Sequence, residues 1–321
     1  MQNLDHYAQF KDYDRFSMPK GIARVTAGSG GEAYLIDCKG KVALYDCGMA
    51  YCHDELLKNI KEKLAEWGYD NLDYALLSHT HYDHIGALPY IIKEYPKIVV
   101  IAAPKAEKVF LSEGAKKTMK RLGEAAREDY GSEYQKSQEI LVSPLRVDIA
   151  AYDMQDFEIG EKTIRVVFTP GHTDCSVCYL VLPDSIMFLS ESTGVLRGPE
   201  YLTTAILKDY KQSIESAYKC KMIGAKTLIG SHFGRIPAYY NDRYFDLFLE
   251  TAEKEKETIV SLYNKGASFD ELLECYKDMN WTVARSKVQP YEAFLENANY
   301  IIRHLVEKFG NKKENQFDKD K

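Results

Sequence analysis

The sequence contains no long apolar run. None of its hydrophobic stretches approaches the ~20 residues that a helix needs to cross a bilayer. Residues 1–16, MQNLDHYAQFKDYDRF, are polar and acidic and do not resemble a secretory signal. We therefore expect no membrane among the partners of this protein.

Clusters of basic residues are also missing. The chain has 321 residues, with 42 Lys and Arg against 48 Asp and Glu and a formal net charge of -6, and no basic block precedes the C-terminal tail. Proteins that bind nucleic acid contact its phosphates through clustered Lys and Arg. Nucleic acid is therefore not expected as the main partner.

Cysteine is scarce and irregularly spaced. The 7 Cys of the chain do not form the spacing of a disulfide framework, which favours a reducing, cytoplasmic location. Cys175 and Cys178 form a C-x-x-C pattern, but their position at the start of a predicted strand differs from the helix turn of a redox pair. We interpret them as structural residues.

Histidine is rare too, yet three of the 8 His lie in residues 77–88, LSHTHYDHIGAL. His79, His81, Asp83 and His84 follow the apolar run Tyr74–Leu77, which predicts a buried strand that leads into a loop. Burying three imidazoles and a carboxylate together without a cation would be costly, whereas these groups are good ligands for zinc, iron or manganese. The loop thus predicts a metal site more strongly than a His-rich surface loop.

Three further motifs follow this loop in the chain. They are TPGHT at residues 169–173, SIMFLSE at residues 185–191 and GSHFG at residues 230–234. In this order and spacing, the four motifs resemble those of the metallo-β-lactamase superfamily of metal-dependent hydrolases, over about residues 22–234. The resemblance implies an α/β (α+β) fold, the four-layer αβ/βα sandwich of that family.

The expected domain organisation follows from this resemblance and from the helical periodicity. We expect the metallo-β-lactamase fold in residues 1–240, with a helical insertion near the site at about 104–150. Residues 241–309 predict a C-terminal helical extension over the site, and residues 310–321, which have few apolar side chains, predict a disordered tail. The apolar faces of the C-terminal helices need a surface to pack against, which a homodimer would also provide.

The resemblance further implies two divalent metal ions per chain, with zinc as the first expectation. The implied ligands are His79, His81 and His172 for one ion, Asp83, His84 and His232 for the other, and a bridging carboxylate at Glu191. The turn Asp46-Cys47-Gly48 matches a family turn whose Asp supports the metal loop from behind. For Asp46 taken alone, a turn-forming Asp before Gly is an equally good explanation.

The bridging position departs from the family pattern. The family normally has Asp there, whereas this chain has Glu191, whose extra methylene requires the backbone to stand slightly further back. Asp184 is the nearby competitor, but it precedes the strand in a Pro-Asp turn, which suits a hairpin. We therefore favour Glu191. The substitution leaves the metal open between zinc, iron and manganese.

The chemistry expected from such a site is hydrolysis of an ester-like bond in a small molecule: a lactone, a thioester or a phosphodiester. Two ions that share a water lower its pKa, and Asp83 is the expected catalytic residue that passes a proton to the leaving group. Arg235 and Tyr239, near the last motif, are candidates for contacts with a substrate carboxylate, phosphate or oxyanion. As single residues, both are equally well explained as solvated surface side chains.

Two other functions remain open at this point. One is a diiron protein that handles oxygen or nitric oxide on the same fold, although His81 stands where the flavodiiron pattern has Glu. The other is a sensor that keeps the metal site but acts through its surface. Turnover of a panel of esters would separate the hydrolase from the sensor.

Overall fold

A computed structural model describes residues 9–11, 13–131 and 139–311. Its first sheet has six strands in the order β1-β2-β3-β4-β5-β6. Strands β1 to β3 pair antiparallel, and β3 to β6 pair parallel. Their bounds are β1 Ile22–Arg24, β2 Tyr34–Asp37, β3 Val42–Tyr45, β4 Tyr74–Leu76, β5 Val99–Ala102 and β6 Ile149–Ala150.

A second sheet of five strands has the order β13-β10-β9-β8-β7, and a separate hairpin, β11-β12, follows the carboxyl end of β10. Strand β10 pairs antiparallel with β9 and parallel with β13. The bounds are β7 Asp156–Ile159, β8 Lys162–Phe168, β9 Val177–Leu182, β10 Ile186–Phe188, β11 Val195–Gly198, β12 Tyr201–Thr203 and β13 Thr227–Ile229.

The two sheets pack face to face through buried aromatic side chains. The Tyr45 ring of the first sheet stacks on Phe188 of the second at 4.8 Å between ring centres and meets Tyr179 edge-on at 6.2 Å. The Tyr45 hydroxyl donates to the carbonyl oxygen of Leu189 at 2.7 Å, so its one polar atom is satisfied inside the core. The same contact fixes the carboxyl end of β10 against the first sheet.

Helices cover the outer faces of both sheets. Helix α1 buries Leu56, Ile60 and Leu64 at helical spacing against the first sheet, and α6 buries Ala217 and Cys220 in the cluster that covers the second. This arrangement confirms the expected α/β class and the αβ/βα layering. The helices up to this point are α1 His53–Trp67, α2 Tyr82–Ile85, α3 Leu88–Glu94, α4 Pro104–Leu111, α5 Glu113–Tyr130 and α6 Tyr210–Ile223.

The segment between β5 and β7 carries two helices, α4 and α5. The Ser112 side chain accepts a hydrogen bond from the backbone N–H of Ala115 and so caps α5. Helix α5 packs against α2, which carries part of the metal loop. The sequence placed Ile149 and Ala150 in the insertion, but these two residues pair with β5 as an edge strand of the first sheet.

The chain after residue 240 is helical, with helices α7 Asn241–Asn264, α8 Phe269–Asn280, α9 Val283–Ser286 and α10 Tyr291–Phe309. Helix α7 packs on α6 and on β12, and α10 packs on α7 and α8. Arg121 of α5 forms ion pairs with Glu292 and Glu296 of α10, at 2.6 Å for Glu296, so the insertion and the C-terminal helices touch each other. The division into domains stays a prediction, as does the homodimer.

The two ends of the chain fall partly outside the described residues. In the N-terminal segment, Phe10 is buried against the Tyr240 ring at 5.2 Å, and the carbonyl oxygen of Arg15 accepts from the backbone N–H of Arg235. The expected disordered tail at 310–321 lies almost wholly outside the described residues, which end at Asn311.

Within the described ranges, no helix has both the length and the apolarity to cross a bilayer.

Candidate metal centre

The four sequence motifs meet because each follows the carboxyl end of a strand. The metal loop follows β4, the turn with His172 follows β8, Glu191 follows β10 and His232 follows β13. Strands β10 and β13 are parallel neighbours, so their carboxyl ends lie at one edge of the second sheet. The sheets face each other, so both deliver polar loops to the same end of the sandwich.

The seven expected ligands fall into two groups of side chains. Within each group, one nitrogen or oxygen donor atom per residue lies within 4.8 Å of the donors of the others. One group is His79, His81 and His172, and the other is Asp83, His84, Glu191 and His232. The structure therefore brings together every side chain that the sequence proposed as a metal ligand, and their role as ligands stays a prediction.

Glu191 lies between the two groups. Its Oε1 is 2.9 Å from His84 Nε2 and 2.6 Å from His232 Nε2, while its Oε2 is 3.3 Å from His172 Nε2. One carboxylate oxygen thus faces each group, as a bridging ligand requires. Asp184 instead lies beyond the amino end of β10, at the opposite end of that strand, and forms an ion pair with Lys162.

The hydrogen bonds of the imidazoles leave their Nε2 atoms directed inward. Nδ1–H of His84 donates to Asp46 Oδ2 at 2.9 Å, that of His172 to the carbonyl oxygen of Ala205 at 2.6 Å, and that of His232 to the carbonyl oxygen of Gly30 at 3.1 Å. Such outer partners select the tautomer whose Nε2 lone pair is free for a metal.

His79 provides the clearest sign that the site suits a cation. Its Nδ1 lies 2.9 Å from Ser78 Oγ, but its Nε2 is buried and finds no partner within the described residues. A buried nitrogen without a partner loses its hydrogen bond to water, which is unfavourable unless something else binds it. With two further imidazole nitrogens beside it, the donor set is that of zinc or iron sites. The residues therefore fit divalent metal ions.

Burial and neighbouring charges set the protonation of the two groups in different ways. Burial, together with the neighbouring imidazoles, holds the pKa values of His79 and His81 well below the usual range, so both are neutral at pH 7. Burial also opposes charge on His84, but Asp83, Asp46 and Glu191 together raise its pKa well above the usual value. The imidazoles of His79 and His81 thus have the neutral form that binds metal, whereas the carboxylates around His84 favour a proton on that imidazole, which a bound cation would replace.

Asp46 supports the metal loop from behind. Its Oδ1 accepts from the backbone N–H of Ser78 at 2.7 Å, and its Oδ2 accepts from the Ser78 hydroxyl at 2.6 Å and from His84 Nδ1. Asp46 is fully buried and has a φ of 47°, a left-handed conformation that Asp tolerates in tight turns. The two explanations of Asp46, as a turn residue and as a support of the metal loop, are therefore compatible, because the turn directs the carboxylate towards the loop.

We expect Asp46→Asn to weaken metal binding by about 10- to 100-fold, the usual effect of losing an outer partner of a metal ligand. Asn keeps the size and the turn preference but removes the charge that supports Ser78 and His84. Competition with a chelator would measure the affinity. Asp73→Asn is the matched control, because Asp73 likewise accepts from a backbone N–H, that of Val42, but precedes β4 at its far end. Equal affinities for both variants would contradict a supporting role for Asp46.

One supporting residue was not found from the sequence. Glu255 of α7 is buried, and its carboxylate accepts hydrogen bonds from the hydroxyl of Thr204 and from Asn280 Nδ2. Thr204 precedes Ala205, whose carbonyl orients His172. Burial raises the pKa of Glu255. A single Glu in an amphipathic helix carries no sequence signal of this role, because it lies 83 positions beyond His172.

The residues predicted to bind substrate are not members of the two groups of candidate ligands. Tyr239 is 73% exposed. The Arg235 guanidinium lies 5.0 Å from the centre of the Tyr13 ring and packs against the N-terminal segment. Their role in substrate binding stays a prediction.

The remaining His and Cys residues have structural roles where they are described. His53 stacks on Tyr90 at 3.5 Å between ring centres, and His304 Nε2 accepts from the backbone N–H of Tyr210, so both side chains have a role in packing. His6 lies outside the described residues. All 7 Cys are free, in agreement with the absence of a disulfide framework, and Cys175 and Cys178 are buried.

Comparisons with known proteins point to one family. A family model described as the metallo-beta-lactamase superfamily matches residues 27–232. The chain is similar to a metallo-beta-lactamase fold-containing protein of Sulfurisphaera tokodaii, at 28% identity over 198 residues, which cover 60% of this chain and 73% of the relative. It is also similar to an atrochrysone carboxyl ACP thioesterase of Aspergillus fumigatus, at 22% identity over 272 residues, 79% of this chain and 72% of the relative.

Among solved structures, a metallo-beta-lactamase family protein from Thermus thermophilus superposes with a TM-score of 0.62 at 16% identity. The superposition covers 89% of this chain and 94% of that one, so it includes at least part of the C-terminal helical region. At this identity, the comparison establishes the fold.

Proposed function

Because the chain belongs to the metallo-β-lactamase superfamily and is a hydrolase of that fold, we propose that it uses two divalent metal ions to hydrolyse an ester-like bond in a small molecule. Among the lactone, thioester and phosphodiester substrates expected from the sequence, a thioester is the first candidate. The similarity to a thioesterase over most of this chain supports that choice.

The position of Glu191 is the observation that carries the proposal of two ions. Its two carboxylate oxygens face different groups of imidazoles, at 3.3 Å or less from His172 on one side and from His84 and His232 on the other. His79, His81 and His172 would hold one ion, and Asp83, His84 and His232 the other. When bound, two such ions supply a hydroxide at neutral pH and polarise the bond that is attacked. Zinc is the first candidate, with iron or manganese as alternatives.

Asp83 is the residue that we assign to proton transfer. Its Oδ2 lies 3.5 Å from His84 Nε2 and 3.6 Å from His232 Nε2, so this oxygen belongs to the second group of ligands. The other carboxylate oxygen can take the proton released as water attacks the thioester carbonyl carbon and return it to the sulfur as the carbon–sulfur bond breaks. The products are a carboxylic acid and a thiol, and the atoms of water are fully accounted for.

The test is a metal analysis combined with a substrate panel. Protein purified without added metal is expected to contain two equivalents of divalent metal and to hydrolyse acyl thioesters of N-acetylcysteamine faster than a simple lactone or a bis-nitrophenyl phosphodiester. Removal of the metal with a chelator should abolish the activity, and the same metal should restore it. Two bound equivalents without turnover of any member of the panel would contradict the hydrolase and favour a sensor.

A further inference from the structure

Two arginines lie close together beside the metal centre. Arg197 stands on β11, six residues after Glu191, and its guanidinium lies 5.1 Å from the centre of the Phe233 ring, which directly follows His232. Arg285 belongs to α9 in the C-terminal helices and is only 6% exposed. Burial and the charge of Arg285 lower the pKa of Arg197 to about 9, while the charge of Glu191 acts in the opposite direction. The two guanidinium groups therefore lie within electrostatic range of each other and of the bridging carboxylate.

The groups that accept hydrogen bonds from these two arginines are neutral. Arg197 Nε donates to Thr203 Oγ1 at 3.4 Å, and Arg285 donates from Nε to Gln289 Oε1 at 2.6 Å and from Nη1 to the carbonyl oxygen of Asn280 at 3.2 Å. Across residues 9–11, 13–131 and 139–311, no carboxylate forms an ion pair with either guanidinium, although the buried Glu255 carboxylate lies within electrostatic range of Arg285. Two like charges brought together and partly removed from water, without a bound anion, are unfavourable.

The fold itself brings the two arginines together. Arg197 is on the β11-β12 hairpin, and the hydroxyl of Tyr201 on that hairpin lies 3.4 Å from Thr282 Oγ1. The Thr282 side chain in turn accepts from the backbone N–H of Arg285. The hairpin that follows the bridging ligand and the helix that carries Arg285 are thus joined directly, and the like charges are held together by the framework.

We propose that Arg197 and Arg285 bind an oxyanion, a carboxylate or a phosphate, on the part of the substrate away from the bond that is hydrolysed. Guanidinium groups match such oxyanions with two parallel N–H donors, and a buried pair of them binds one more strongly than exposed lysines would. The inference rests on the proposed hydrolase function for the identity of the reacting bond. It narrows the substrates to ester-like compounds that carry a carboxylate or phosphate group.

The first test compares two thioesters on the metal-loaded enzyme. Glutaryl and pentanoyl thioesters of N-acetylcysteamine have the same chain length, and only the first ends in a carboxylate. We expect the wild type to prefer the glutaryl substrate, and Arg197→Met and Arg285→Met to lose that preference by roughly 10- to 100-fold, mainly through KM, as expected for a charge-assisted hydrogen bond. Arg165→Met is the control, because Arg165 is paired with Asp156 on the second sheet. An unchanged preference in both Met variants would overturn the proposal.

A second measurement does not depend on turnover. Titration calorimetry with glutarate and, separately, with inorganic phosphate is expected to show binding to the metal-loaded wild type that is weakened in Arg197→Met and Arg285→Met. The stronger of the two probes identifies the class of oxyanion. If both variants bound the anion as strongly as the wild type, the anion would be bound at the metal ions, which would contradict the proposal. Binding that depends on the two arginines, without hydrolysis of any thioester, would support the oxyanion site and contradict the proposed reaction instead.

Metal content and thermal melting separate an effect on binding from misfolding. If the Met variants do not fold, Arg197→Lys and Arg285→Lys retain the positive charge but lose the planar pair of donors. These Lys variants are then expected to bind glutarate with intermediate affinity, between that of the wild type and no detectable binding. Affinity equal to that of the wild type in both Lys variants would argue against recognition by the guanidinium groups.

Discussion

The double variant His79→Ala, His81→Ala is expected to lose its bound metal, its hydrolytic activity and a large part of its thermal stability. Both side chains belong to the group completed by His172, and the Nε2 of His79 has no other partner within the described residues. An ion that binds only the folded protein stabilises it by about 4 kcal/mol when present at a thousand times its dissociation constant. Elemental analysis and thermal melting with and without a chelator would measure both effects.

The control for this variant is a histidine that is buried but lies outside the two groups. His53→Gln removes an imidazole that stacks on Tyr90, so it should lower stability without changing the metal content. In the wild type and in His53→Gln, the chelator should lower the melting temperature by similar amounts. In the double variant, it should have little further effect. Two retained equivalents of metal in the double variant would show that the ligands have been assigned to the wrong side chains.

Replacement of Glu191 is expected to have an effect of comparable size and to distinguish charge from length. Glu191→Gln keeps the shape but removes the negative charge that both imidazole groups face. The affinity for at least one ion should fall by more than the roughly 10- to 100-fold expected for an outer partner. Glu191→Asp keeps the charge but shortens the side chain by one methylene. It should retain metal but hydrolyse more slowly, because the carboxylate no longer reaches both groups from the same backbone position.

Metal stoichiometry and the rate of thioester hydrolysis, measured together, test this prediction. Asp184→Asn is the matched control, since Asp184 flanks the same strand at its other end and is paired with Lys162. This control should have the stoichiometry and rate of the wild type. Wild-type values in Glu191→Gln would mean that another group bridges the ions, and a fall in metal content in Asp184→Asn would contradict the geometry described above.

The positions of the candidate ligands could be predicted from the sequence because each is set locally. A short apolar run predicts a strand, and the polar residues just beyond it must lie at the end of that strand, whichever sheet it joins. This holds for the loop with His79, for His172, for Glu191 and for His232. The preference for Glu191 over Asp184 follows in the same way, because one residue follows β10 and the other precedes it. The layered fold was predictable from the same strand and helix periodicities combined with the family resemblance.

The tertiary structure alone decided which distant residues support the centre. Glu255 is linked to His172 through Thr204 and Ala205, and the charge of Arg285 lowers the pKa of Arg197 although 88 positions separate them in the chain. Likewise, the pairing of Ile149–Ala150 with β5 and the contact of α5 with α10 arise from segments that are far apart in sequence. A sequence motif indicates the position of a residue relative to its own strand or helix. Which charges share a buried space depends on how whole helices pack on a sheet, and that packing is determined by the summed burial of many apolar side chains.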